Sequence, residues 1–224
     1  MEYRTQSPRR AADEANTRIV NEFLDKNFYT EANGFSNVER VYDKPRQVQG
    51  IDVEFDFNGK SYAADEKAAT SYVNKNLGTF SFELAFVNRK NEIVDGWLLN
   101  EDILTDSYVL VWIDNGDMVP FSEDTPDIEV LNGVGAIHVA DVALVKKKKV
   151  LEYLESLGWP VGRLSMKCDK IIEKEGEGIE MGNVWRNGCK FSYSKHLVEE
   201  PVNIIIPRFR LIEMADFHLH FDNR

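Results

Sequence analysis

The chain has 224 residues, 43% of them apolar with thirteen Phe, and a formal net charge of −11. That composition excludes intrinsic disorder and suits one sizeable domain, while no apolar run approaches the ~18 residues of a membrane span and the opening "MEYRTQSPRRAADE" lacks an apolar h-region. The negative balance opposes non-specific nucleic-acid binding, whose affinity comes mainly from Lys and Arg on phosphates, yet it permits a local basic groove or acids screened by a metal.

Ser7-Pro8 reads as an N-cap followed by proline at the first helical position. Ala12, Ala15, Ile19 and Phe23, with Val20 and Leu24, form a helical stripe that runs to about Lys26. "SNVERVYD" predicts a strand, and Pro45 a loop. Two alternating runs then flank Asn58-Gly59, the strongest short-range hairpin signal, because a type I′ turn needs positive φ at both central residues. That turn sets Phe57 opposite Lys60, Phe55 opposite Tyr62, Val53 opposite Ala64 and Asp52 opposite Asp65. Ile51, Val53, Phe55, Phe57 and Tyr62 take one face; Asp52, Glu54, Asp56, Ser61, Ala63, Asp65 and Lys67 take the other. "TFSFELAF" and "SYVLVWID" are further strands, giving a mixed α/β arrangement with the hairpin at its centre. The polar stretch from Asp114 to Asp127 is the only plausible seam. Beyond it come a strand in "GAIHVADVALV" and a helix in "KKKKVLEYLESLGW" ending near Gly158. A second helix in "GRLSMKCDKIIEKEGEG" precedes a strand, "PVNIIIPRFRLIEM", broken at Pro207.

Directly opposed carboxylates are destabilising. Lys67, two residues from Asp65 on the same face, relieves part of the repulsion, and a divalent cation would relieve it better. Asp65-Glu66-Lys67 is the only acid-x-Lys triplet in the chain. An N-terminal helix, then a hairpin with Asp on its first strand and Asp-x-Lys on its second, resembles the PD-(D/E)xK nuclease superfamily. The resemblance covers roughly Ser7 to Asp114. It implies a restriction-endonuclease-like fold, a mixed central sheet with flanking helices. The nuclease core would span about 7–114, with 127–224 packed on it within a single 1–224 domain.

The resemblance further implies an endonuclease that hydrolyses DNA phosphodiester bonds with Mg²⁺ (or Mn²⁺), of restriction or phage-defence type. Asp52, Asp65 and Lys67 would be catalytic. Asp52, Asp65 and the Glu66 backbone carbonyl would hold the metal, with Glu14 and Glu83 as further candidates and Glu22 behind them. Two carboxylates and a carbonyl suit Mg²⁺, which prefers oxygen ligands and keeps several waters. Glu66 stands where the family usually has an apolar residue. The register puts it among apolar side chains, so either it pairs there or a bulge aims it at the metal.

Arg208 and Arg210, alternating on one strand face, are candidates for tracking a DNA backbone. Lys146 to Lys149 read as a solvated helix face, and Trp97, Trp112, Trp159 and Trp185 as core. His218, His220 and Asp222 alternate with metal-like spacing at a terminus expected to fray. Cys168 and Cys189 read as ordinary thiols of a reducing compartment, consistent with a soluble cytoplasmic protein. The expected partners are DNA and a second copy of the chain, since double-strand cutting with one metal centre needs two subunits; no membrane is expected. Two alternatives stand beside the nuclease: a catalytically inactive nuclease-fold binding module, and an acidic protein that mimics nucleic acid.

Overall fold

A computed structural model describes residues 8–114, 130–174, 188–195, 197 and 199–224. Ser7, most of the 114–127 seam and Trp185 lie outside the described residues. The chain begins with α1 (Pro8–Asn27), β1 (Phe35–Arg40) and a short α2 (Lys44–Val48). The hairpin β2 (Val53–Phe57) and β3 (Lys60–Ala68) follows, then β4 (Thr79–Val87), β5 (Ile93–Asp95) and β6 (Ser107–Ile113). Next come β7 (Val139–Lys146), α3 (Lys147–Ser156), α4 (Val161–Glu173) and β8 (Lys190–Tyr193). β9 (Val202–Pro207), α5 (Arg208–Met214) and β10 (Phe217–Asp222) close the chain.

The hairpin forms as its turn chemistry requires. Asn58 and Gly59 have φ of 50° and 73°, and Val53, Phe55 and Phe57 pair with Ala64, Tyr62 and Lys60. The strands distribute less simply than alternation suggests. A six-stranded mixed sheet runs β1-β2-β3-β6-β7-β10, with β3 and β6 parallel, while β4 leaves for a four-stranded antiparallel sheet ordered β5-β4-β9-β8. β4 and β5 therefore lie in the crossover between two parallel neighbours. Both sheets take strands from either side of the expected seam.

Two further expectations are corrected by local chemistry. Around Pro45 the chain is helical, because the Asp43 side chain caps the Arg46 N–H at 3.0 Å and proline suits a first turn. After Pro207 the chain turns into α5 instead of continuing as strand. Proline lacks the donor a strand ladder needs, and "RFRLIEM" carries good helix formers with Leu211 buried.

Each face of the large sheet has its own core. On one face Val20, Phe23 and Leu24 of α1 meet Val53, Phe55, Val109, Val111 and Val142. On the other, Tyr108, Leu110, Trp112 and Val145 meet Phe80, Phe82, Ile204 and Ile206 of the second sheet, together with Val150 of α3 and Leu164 of α4. Buried Phe35 sits at the centre of the aromatic nest under α1, its ring 4.8–5.6 Å from those of Phe28, Tyr29, Phe55, Phe57 and Phe217. Among the described residues no helix is long and apolar enough to cross a membrane.

Truncating a buried aromatic loses both its transfer free energy and its packing partners. Phe35→Ala should cost about 3–5 kcal/mol in urea unfolding, whereas Tyr42→Ala, at a residue 81% exposed, should stay within about 0.5 kcal/mol of wild type. Equal small losses at both positions would refute this placement of the core.

Candidate active site

β3 is an interior strand whose two faces are both covered, so its consecutive charges separate to opposite layers. Asp65 and Lys67 point toward the second sheet, and Glu66 points toward α1. Asp65 is only 3% exposed, so this end of the hairpin's polar face is not its wet side. The exposed end lies nearer the turn, where Asp56 accepts hydrogen bonds from Asn37 and Ser61.

Asp52 lies one residue before β2, and its backbone departs from simple pairing. Its N–H donates to the Ala64 carbonyl, although Ala64 is already the register partner of Val53. Two residues facing one is the geometry of a bulge. Asp52 is thereby drawn back from a place directly opposite Asp65. Its carboxylate Oδ2 accepts the Glu66 N–H at 3.0 Å and still lies against the Asp65 carboxyl. The Lys67 Nζ stands 2.9 Å from Asp65 Oδ1. Burial raises the Asp65 carboxyl to about 7; the Lys67 ammonium opposes that rise and the Asp52 charge adds to it. Asp52, Asp65 and Lys67 are therefore together at one place.

Glu66 resolves by pairing. Its side chain is 6% exposed and accepts the Tyr29 hydroxyl at 2.8 Å on Oε1 and Arg40 Nη1 at 2.8 Å on Oε2. Arg40 is itself held by Asp25 and the Asn21 carbonyl. The bulge lies at Asp52 and leaves the Glu66 carboxylate on the α1 side. Within a strand a residue's N–H and C=O point to the same edge. Since the Glu66 N–H faces Asp52, its carbonyl points to the edge that carries that carboxylate.

Glu83 approaches from the other sheet. Gly96 packs so tightly on β4 that a Cβ there would stand 2.7 Å from the Glu83 backbone, so only glycine fits. The backbone N–H of the next residue, Trp97, bonds the Glu83 carboxylate. Burial and Glu199 raise the Glu83 carboxyl, and Lys67 lowers it. The Lys67 ammonium is also 5.4 Å from the Trp97 ring centroid. Nothing in the order of residues marked Trp97 for this position; it was read as core.

The remaining candidates lie elsewhere. Glu14 is exposed on α1, over the sheet face opposite Asp65, and Glu22 pairs with Lys26. Arg208 and Arg210 do not alternate on a strand. On α5 they are about 200° apart. Arg208 bonds Asp114 at 2.8 Å and Asp141 while lying 5.2 Å over the Trp112 ring, and Arg210 pairs with Glu213. His218 Nε2 and His220 Nδ1 contact Asp141 Oδ1 at 2.8 and 2.9 Å, while Asp222 pairs with Arg224. The lysine run is only partly solvated. Lys149 binds Asp216 at 2.6 Å and Lys147 the Asn100 carbonyl at 3.1 Å, whereas Lys148 stays exposed.

Among the described residues no three His, Cys, Asp or Glu side chains form a ready metal cage. The fit at Asp52 and Asp65 rests on different donors: two neighbouring carboxylates and a peptide oxygen on the same edge, all hard oxygen ligands of the kind Mg²⁺ takes. Compared with protein-family models, curated proteins and solved structures, the chain finds no match.

The raised Asp65 carboxyl has a consequence for metal-free protein. Between about pH 4 and pH 7 the folded state keeps a proton that the unfolded chain has released. The contribution of this group to stability therefore falls as pH rises through that window and levels off above it. At ~1.4 kcal/mol per pKa unit the loss is on the order of 4 kcal/mol. In EDTA, Asp65→Asn should gain melting temperature over wild type at pH 8 and lose that advantage at pH 5. Parallel pH profiles for the two proteins would contradict this.

Proposed function

We propose that the chain is a Mg²⁺-dependent nuclease that hydrolyses DNA phosphodiester bonds, of restriction or phage-defence type. One observation carries the reading: Asp52, Asp65 and Lys67, which stand apart in sequence and carry opposed charges, converge where the large sheet meets the second sheet. A fold that needed only stability would put apolar side chains there, since a buried ion pair is often no better than a hydrophobic replacement.

Asp52, Asp65 and the Glu66 carbonyl would hold Mg²⁺ or Mn²⁺. Such an ion, when bound, polarises a phosphate oxygen and lowers the pKa of a coordinated water. The other steps belong to the chain. The Glu66 N–H fixes the Asp52 carboxylate. Lys67, a three-proton donor at this site, can orient the attacking water and offset charge developing on the phosphate. Trp97 and Tyr108, with ring centroids 5.0 Å apart, wall this side of the site.

A second reading, an inactive binding module on the same scaffold, is favoured by one feature: Asp65 is almost fully buried and already paired with Lys67. Two experiments separate the readings. Purified protein with Mg²⁺ or Mn²⁺ should nick or cut DNA and stop with EDTA, and Asp65→Asn or Lys67→Ala should each reduce cutting at least ~100-fold, the scale typical of lost electrostatic and acid–base groups. Persistent cutting by a clean Asp65→Asn preparation would sink the assignment.

Thermal melting needs no knowledge of the substrate. A ligand at about 100 times its Kd stabilises the folded state by ~2.7 kcal/mol. Wild type should gain melting temperature with Mg²⁺, Asp52→Asn should lose most of that gain, and Glu54→Gln, which faces Arg46 instead, should keep it. Identical responses from all three would remove the metal from the site.

A further inference from the structure

The lysine of this site has two acids within its field, one on each sheet. Its ammonium is 2.9 Å from Asp65 on β3, and it also acts on Glu83 of β4, whose carboxylate is held by the Trp97 N–H. The Trp97 ring lies 5.4 Å from the ammonium, packed edge-on to Tyr108 at 5.0 Å and tilted on Phe82 at 5.2 Å. The residue before Trp97, Gly96, packs directly on β4, where the backbone at Glu83 leaves no room for a side chain.

Charge makes the arrangement specific. With all three carboxyls ionised, Asp52, Asp65 and Glu83 against one ammonium leave two negative charges, the amount one divalent cation supplies. That cation and the ammonium cannot both lie within 3 Å of Asp65, since like charges at such separations repel by several kcal/mol even at an effective dielectric near 20. Lysine has a flexible four-carbon stem and can move. A face of Trp is the ring surface most favourable to a passing cation.

We propose that Lys67 stands in for the divalent cation in the metal-free protein and passes to Glu83 when the cation takes Asp52 and Asp65. This rests on the metal-dependent reading above and extends it. Glu83 becomes a positioning residue that acts through Lys67, not a ligand of the metal. The hand-over leaves the ammonium beside the cation, where it can face a water or a phosphate oxygen.

Mn²⁺ titration of the full chain by calorimetry tests this without any substrate. Lys67→Met removes the competitor and should bind Mn²⁺ about tenfold tighter than wild type, and Glu83→Gln, which leaves the lysine no acceptor, about tenfold weaker. Glu83→Asp should recover most of that loss. In the double variant Lys67→Met/Glu83→Gln the penalty of the glutamine should shrink to less than about twofold, because Glu83 then has no lysine to receive.

An unchanged or weaker affinity for Lys67→Met overturns the proposal. So does a full tenfold penalty in the double variant, which would make Glu83 a ligand. If wild type binds no Mn²⁺ at millimolar concentration, the metal-dependent reading fails and this inference falls with it. If all variants bind alike, only the hand-over fails. Should Glu83→Gln not fold, as judged by melting in EDTA, the sign of the Lys67→Met effect decides alone.

Discussion

An interior strand that carries three consecutive charges, Asp65-Glu66-Lys67, is covered on both faces. Each charge must find its partner in the layer it enters, because an unpaired ion in a protein interior costs several kcal/mol. Alternation sends Glu66 toward α1 and its two neighbours toward the second sheet. The α1 layer answers with Arg40 and Tyr29, and the second sheet with Trp97 and Glu83. Much of the architecture follows. The parallel neighbour β6 supplies Tyr108 on one face and Val109 on the other, and the crossover that reaches β6 carries β4 and β5, the strands that build the far wall.

The two layers settle their charges differently. Glu66 ends fully partnered: both carboxylate oxygens are within 2.8 Å of a donor, and Arg40 has further acceptors in Asp25 and the Asn21 carbonyl. The second layer is left acidic, with Asp52, Asp65 and Glu83 around one lysine. A similar contrast holds elsewhere on this face, where Arg208 bridges Asp114 and Asp141 and two imidazoles meet the same Asp141, so that despite burial this carboxyl is held below the usual carboxylate range. Those clusters are complete, whereas at Asp52, Asp65 and Glu83 one ammonium is shared; under the nuclease reading a cation would make up that deficit.

Much of this was legible in the order of residues, for identifiable reasons. Asn58-Gly59 dictates turn type and therefore register, so the pairing of Val53, Phe55 and Phe57 and the shared face of Asp65 and Lys67 follow from two residues. The bulge at Asp52 was not legible, because it depends on a backbone bond to Ala64 that no side-chain pattern encodes. Nor was the departure of β4 to a second sheet: "TFSFELAF" alternates as it would in either sheet, and only β9, more than a hundred residues later, decides. The reading of "PRFR" as strand failed because alternate arginines look alike on a strand and on the first turn of a short helix. Trp97 was unreadable as part of the site, since its position depends on Gly96 pressing against β4.

The net charge of −11 takes on a more definite meaning in this light. Several cations that composition alone would offer to a phosphate backbone are engaged inside the fold: Arg40 with Glu66 and Asp25, Lys149 with Asp216, and Arg208 with Asp114 and Asp141. An acidic protein with these cations so committed gains less from the counterion release that drives non-specific binding. The attraction that remains is local. Under the nuclease reading, a divalent cation on Asp52 and Asp65 would cancel the negative charge at the place where a phosphate approaches, and the same ion would free Lys67 to face that phosphate. Under the nuclease reading, substrate binding and the assembly of the reactive groups therefore become a single event, controlled by the cation and by the lysine that occupies its place.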